Sequence, residues 1–159
     1  TLLYMLQSDR FTQTDSTIHP HQAEVTIGNI RFNSYDLGGH QQARKTWREY
    51  CGQLDGIIFI IDGADRERIA EAKRELDSLL EMKELENVPF VVFGNKIDKK
   101  ESLKEEEFRE YLGLHFHQTY GKDTKQKNPG ARPIEVFMCS VMKRVGYADG
   151  FQWLSNFIK

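Results

Sequence analysis

The chain has 159 residues, 39 % of them hydrophobic and 29 % charged, with a formal net charge of −2. That length suits one domain with a real core, and a pI of 6.2 excludes the basic footprint of a nucleic-acid binder. Cys51 and Cys139 lie far apart, without C-x-x-C spacing or a secretory signal, so they read as reduced thiols of a cytosolic protein, and no apolar run is long enough to span a bilayer.

In chain order, Leu2-Leu3-Tyr4-Met5-Leu6 reads as the tail of a helix, followed by a polar loop from Gln7 to Gln22. A hairpin follows, Glu24 to Ile27 and Ile30 to Asp36, turning at Gly28-Asn29. Two apolar runs, Gly56 to Asp62 and Val88 to Gly94, predict buried strands, and the amphipathic stretch from Asp65 to Met82 predicts the helix between them. Strand, helix and strand of these lengths make a parallel βαβ unit. Glu105 to Leu112 is a charged helix that Gly113 can end, and His115 to Pro133 is a long irregular connection. Ile134 to Cys139 is the last strand. Asp149 is expected to cap a closing helix with Phe151, Leu154, Phe157 and Ile158 on its apolar side. Trp47 and Trp153 read as core or interface anchors, and the charges from Lys99 to Glu107 as a solvated face.

Two motifs carry chemistry, each at the carboxyl end of a predicted strand, where open α/β sheets bind ligands. The first is Asn95-Lys96-Ile97-Asp98. The Asp98 carboxylate can accept parallel hydrogen bonds from the ring N–H and exocyclic amine of guanine, a pattern adenine does not offer. The stem of Lys96 can lie along the flat of the base, and Asn95 can tie neighbouring loops together. The second is Asp36-Leu37-Gly38-Gly39, a D-x-x-G. A carboxylate there can hold Mg²⁺ through water, and the backbone of Gly39 can approach a terminal phosphate closely. Either motif alone is also a common polar turn; their order and spacing make that reading weak. His19 and His21, and His115 and His117, resemble metal pairs but lack a second cluster at zinc spacing.

With these motifs the chain resembles small GTPases of the ADP-ribosylation-factor superfamily, and within it the secretion-associated Ras-related branch. The resemblance rests on Thr17-Ile18-His19-Pro20, Asp36 to Arg44, Asn95 to Asp98, Ala131 to Val141 and Gly146 to Leu154. It implies a single Ras-like G-domain over 1–159, α/β, with a mostly parallel six-stranded sheet flanked by helices. The family's first strand and its G-x-x-x-x-G-K-[ST] phosphate loop do not occur in this sequence. Thr1 aligns just after that loop's lysine, which implies contact with the α-phosphate. The expectation is a chain shortened at its start that binds nucleotide poorly and is inactive as it stands.

The resemblance further implies a switch that binds and hydrolyses GTP with Mg²⁺ and starts assembly of coat protein complex II at the endoplasmic reticulum for transport to the Golgi. Asp36 and Thr17 would serve the metal, Thr17 only in the triphosphate state, and Gly39 would sense the γ-phosphate. His40 stands where many relatives carry a water-orienting glutamine. Ser140, Val141 and Met142 would close over the base, mainly through backbone N–H groups. No arginine sits where a built-in finger belongs, and Arg44 reads as a surface charge, so the inner coat heterodimer is expected to supply one. A membrane-bound exchange factor and peripheral attachment through a missing N-terminal amphipathic helix complete the picture. The alternatives are another ADP-ribosylation-factor-like trafficking role, or a non-catalytic G-domain-like binding module. Ser16 stands where the family carries proline, which loosens the loop before Thr17.

Overall fold

The computed structural model describes residues 21–27, 30–36, 54–124 and 132–158, together with Arg44, Trp47 and Glu49. They belong to two compact units, Thr1–Gln53 and Leu54–Lys159. In the first, β1 (His21–Ile27) and β2 (Ile30–Asp36) form an antiparallel hairpin whose register pairs His21 with Asp36 and Ile27 with Ile30. The hairpin is therefore as expected, with β1 three residues longer at its start. The predicted N-terminal helix tail, the turn at Gly28-Asn29, and Cys51 lie outside the described residues.

The second unit is a parallel three-stranded sheet with helices packed on it. Its strands, β3 (Ile57–Asp62), β4 (Phe90–Asn95) and β5 (Ile134–Met138), lie in sequence order. Between β3 and β4 runs a 3₁₀ turn, Arg66–Arg68, continuing into α1 (Ile69–Leu80). This is the predicted βαβ unit. α2 (Glu105–Leu112) and α3 (Tyr147–Ser155) complete the set.

Central placement explains the apolar run of β4. Phe90, Val91, Val92 and Phe93 are fully buried because a parallel strand flanked on both edges is covered on both faces. Among the described residues β3 is an edge strand; it buries Phe59 and Ile61 but leaves Ile60 46 % exposed, so the expected two-sided burial does not hold at Ile60. α1 turns Ile69, Leu76 and Leu79 inward, and α3 contributes Phe151, Trp153 and Leu154.

Two features differ from expectation. Asp149 does not cap α3: the cap is Gly146, and Asp149 sits in the first turn, where its charge still complements the helix dipole. The helix starts early because Gly146 takes the left-handed turn (φ 86°) that swings the chain out of the preceding loop. Nor is the charged stretch from Lys99 to Glu107 wholly a solvated face. Glu105 is drawn into pairs with Lys122 at 2.5 Å and Arg109 at 3.5 Å. As expected, Gly113 ends α2, and Trp153 is a core anchor whose indole N–H donates to Gly121 O at 2.9 Å.

Candidate functional site

The parallel register sets Asp62 directly opposite Asn95, so β3 and β4 end level and their loops leave the same rim of the sheet. The Gly63 amide donates to Asn95 O at 2.9 Å and fastens the two loops together. Asn95 works as the expected tie. Its Oδ1 accepts from the Lys96 amide at 2.8 Å and the Val141 amide at 3.1 Å, and lies 3.8 Å from the Cys139 sulfur. One side-chain amide thus holds the strand end, its own loop and the loop after β5.

Lys96 is left-handed, with φ 73°. For a side-chain-bearing residue that conformation costs about 1 kcal/mol or more, so its surroundings must hold it. The Asn95 contact to its amide does so from the backbone. From the other end, its ammonium donates to Asp62 Oδ2 at 2.7 Å, while Asp62 Oδ1 accepts the Ala64 amide at 3.0 Å. Burial alone would raise the Asp62 carboxyl, but the bond from Lys96, the Ala64 amide and the charges of Lys96 and Lys99 outweigh it. The net effect holds the group below its ordinary range.

Asp98 is exposed, yet its direction is fixed. Buried Ser140 donates its hydroxyl to Asp98 Oδ1 at 2.7 Å, and the same oxygen of Ser140 accepts the Lys143 amide at 3.1 Å. A hydroxyl has one proton, and the Lys143 contact leaves it pointing at Asp98. Ser140 itself is pinned by a reciprocal backbone pair with Val145, at 2.9 and 3.0 Å, and Ile97 donates to Cys139 O at 3.2 Å. Each carboxylate oxygen has two lone pairs, so Asp98 retains acceptors for two parallel N–H donors from solvent's side.

The amides of Ser140 and Val141, expected to face the base, donate within the protein to Val145 O and Asn95 Oδ1. What Ser140 contributes is its hydroxyl, aimed at Asp98. Met142, 53 % exposed, stands at the tip of the same loop.

Of the remaining sequence-derived residues, Asp36 ends β2 opposite His21. Thr1, Thr17, Gly39 and His40 lie outside the described residues. Arg44 is half-buried. His115 and His117 stack face to face, 5.7 Å between centroids. Asp62 escaped the sequence reading as a site residue; the signal available was an acidic residue closing the apolar run that begins at Gly56.

Residues 1–158 match the model of the ADP-ribosylation factor family. The chain belongs to that family. Among its relatives is the small COPII coat GTPase SAR1 of Giardia intestinalis, 39 % identical over 158 residues, which cover 99 % of this chain and 82 % of that protein. The small COPII coat GTPase SAR1 of Nicotiana tabacum is 36 % identical over 164 residues, covering 100 % of this chain and 83 % of that protein. In fold, the family member resembles the Arl6 (BBS3) small GTPase of Trypanosoma brucei, solved with the nucleotide analogue GppNp. The TM-score is 0.79 at 24 % identity, over 97 % of this chain and 86 % of that one.

Proposed function

We infer that this protein is a GTP-hydrolysing switch that initiates assembly of the COPII coat at the endoplasmic reticulum. The observation that carries the nucleotide assignment is the Asp98–Ser140 contact. It supports the reading by fixing an exposed carboxylate just beyond the carboxyl end of a parallel strand, and a fixed carboxylate can accept from guanine's two adjacent donors. The names of the two SAR1 relatives, matched along almost the whole chain, support the coat assignment.

In this reading Asp98 accepts from the guanine ring N–H and exocyclic amine, and the stem of Lys96 covers one face of the base. Thr1 meets the α-phosphate, Gly39 senses the γ-phosphate, and His40 orients the attacking water. Asp36 and Thr17 serve Mg²⁺, which when bound neutralises charge on the β and γ oxygens. An arginine from the inner coat heterodimer completes the charge stabilisation; such fingers are worth roughly 10³–10⁵ in rate. The chain is then read as a single G-domain over residues 1–159. Among the described residues no helix is long and apolar enough to cross a membrane. Attachment in this reading is peripheral, at the endoplasmic reticulum.

The test is nucleotide binding by the full-length protein that carries this sequence, with Mg²⁺, comparing GDP and GTP with ATP and xanthosine diphosphate. Guanine preference that moves towards xanthine in Asp98→Asn supports the reading, because an amide presents a donor where xanthine has a carbonyl. Equal binding of adenine and guanine nucleotides overturns it. GTP-dependent retention of the inner coat heterodimer on vesicles tests the coat assignment separately.

A further inference from the structure

We propose that Asp62 is a positioning residue for guanine recognition: it anchors the ammonium of Lys96 so that the lysine stem is held flat as a shelf for the base. This rests on the guanine-binding role of Lys96 and Asp98, and goes beyond it by assigning a role to a residue outside the N-K-x-D motif.

Three observations carry it. The first is the contact itself, Lys96 Nζ to Asp62 Oδ2 at 2.7 Å, between residues 34 apart in sequence. The strand register that places Asp62 opposite Asn95 brings the carboxylate within reach of the next residue along. The second is that Asp62 is itself fixed. Its other oxygen accepts the Ala64 amide, Gly63 is bonded to Asn95 O, and the Leu103 amide returns to Gly63 O at 2.9 Å. A carboxylate tied into a turn that is tied to the reading loop is a rigid anchor, unlike a freely rotating surface acid. The third is the backbone of Lys96. At φ 73° it is committed to a left-handed conformation, which leaves the four-carbon stem as the one part free to wander.

An unanchored lysine stem sweeps many rotamers and must be ordered when nucleotide binds; an anchored one has already lost that freedom. The consequence appears in binding, chiefly in how fast the nucleotide leaves. Burial of the pair is incomplete, with side-chain exposures of 42 % and 36 %, so its effect on fold stability is small.

Two substitutions isolate the anchor. Asp62→Asn keeps an oxygen for the Ala64 amide and removes the charge that holds the ammonium. Lys96→Met keeps the stem and removes the ammonium. Dissociation of a fluorescent GDP is measured from the full-length protein, and thermal unfolding of each GDP-loaded variant is measured alongside. The expected result is that each substitution speeds release by about 3- to 10-fold, that the double variant is no faster than either single one, and that melting temperatures fall by no more than the weaker hold on GDP accounts for. Wild-type release by Asp62→Asn alongside fast release by Lys96→Met overturns the proposal, as do single effects that multiply in the double variant. Lys96→Ala, which removes the shelf altogether, separates the two readings. If it too releases GDP at the wild-type rate, the guanine-binding role of Lys96 fails, and the anchor fails with it.

Discussion

Arg109 and Glu135, 26 residues apart in sequence, form an ion pair at 2.5 Å with side chains only 2 % and 1 % exposed. The arginine also donates to Leu114 O at 3.2 Å and Thr119 Oγ1 at 3.0 Å, and its guanidinium lies 4.0 Å from the centre of the Phe116 ring. The glutamate accepts the Gly121 amide at 2.6 Å and the Val136 amide at 2.8 Å. The pair thereby staples the start of the connection after α2 to the edge strand β5. Glu135 also satisfies backbone donors at that edge, which would otherwise lie buried without partners.

Removing one member leaves the other as a buried, uncompensated charge. Arg109→Ala is therefore expected to lower stability by about 3–5 kcal/mol. Replacing both, as Arg109→Met with Glu135→Leu, should cost less than Arg109→Ala alone, offset only by the amides that Glu135 now satisfies. Urea unfolding of the wild type, Arg109→Ala, Arg109→Met, Glu135→Leu and the double variant checks this. Additive losses would show that the two side chains act independently.

Ser140→Ala removes the hydroxyl that directs Asp98 while leaving the backbone pair with Val145 intact. Loss of a hydrogen bond to a charged group is worth about 1.5–3 kcal/mol, so GDP release should quicken by roughly 10-fold or more. Stability should change far less, because Asp98 is exposed and rehydrates. Stopped-flow release of fluorescent GDP, set against melting temperature, distinguishes the two effects. An unchanged release rate would mean that Asp98 needs no orientation.

Much of this was legible in the sequence, for reasons that are local. β4 announces itself through an uninterrupted apolar run because both its faces are covered, and α2 through three glutamates ahead of Phe108 and a glycine behind Leu112. Asn95, Lys96 and Asp98 were readable because their spacing is contiguous. What escaped was long-range. Asp62 reaches Lys96 only through strand register, Ser140 reaches Asp98 only once β5 lies beside β4, and Arg109 looks like any charge on an amphipathic helix until Glu135 is seen opposite. The start of α3 was misplaced for a different reason: an acidic residue in the first turn and an acidic cap leave the same mark on a sequence.

His40 lies outside the described residues, so its expected role rests on the family pattern around Asp36 and Gly39. His40→Ala should bind GTP normally and hydrolyse it slowly, by about 10²-fold or more, even with the inner coat heterodimer present. Single-turnover phosphate release measures this. Wild-type turnover would move water orientation to another group.

Cys139 is buried between Asn95 and the loop after β5, and burial pushes its thiol from the ordinary 9.0 up to about 12. The folded state therefore keeps its proton where the unfolded chain has lost it. The resulting stability is complete below pH 9.0 and declines as pH rises towards about 12. In a Cys51→Ser variant, labelling at pH 8 should be slower in folded than in urea-unfolded protein by about three orders of magnitude from thiolate fraction alone. A thiol reagent with a chromophoric leaving group reads this directly. Comparable rates would mean that the loop opens readily and exposes the cysteine.

Gly113 and Gly146 both take left-handed backbone conformations, φ 68° and 86°, but their neighbours differ. A Cβ on Gly113 would meet only Lys73 Nζ, at 3.6 Å, the movable end of a flexible side chain. On Gly146 it would stand 2.2 Å from Met138 O and 3.0 Å from Cys139 Cα, both backbone. Gly113→Ala should thus carry the conformational penalty alone, about 1 kcal/mol. Gly146→Ala adds an overlap that cannot relax without shifting the end of β5 or the start of α3, and should cost about 3 kcal/mol or more. Because Cys139 O also accepts the Ile97 amide, that shift is transmitted to the loop that carries Asp98. Gly146→Ala is accordingly expected to speed GDP release as well as lower the melting temperature, whereas Gly113→Ala lowers only the latter. Equal behaviour of the two variants in both assays would show that the seam between β5 and α3 is slack enough to absorb the methyl group.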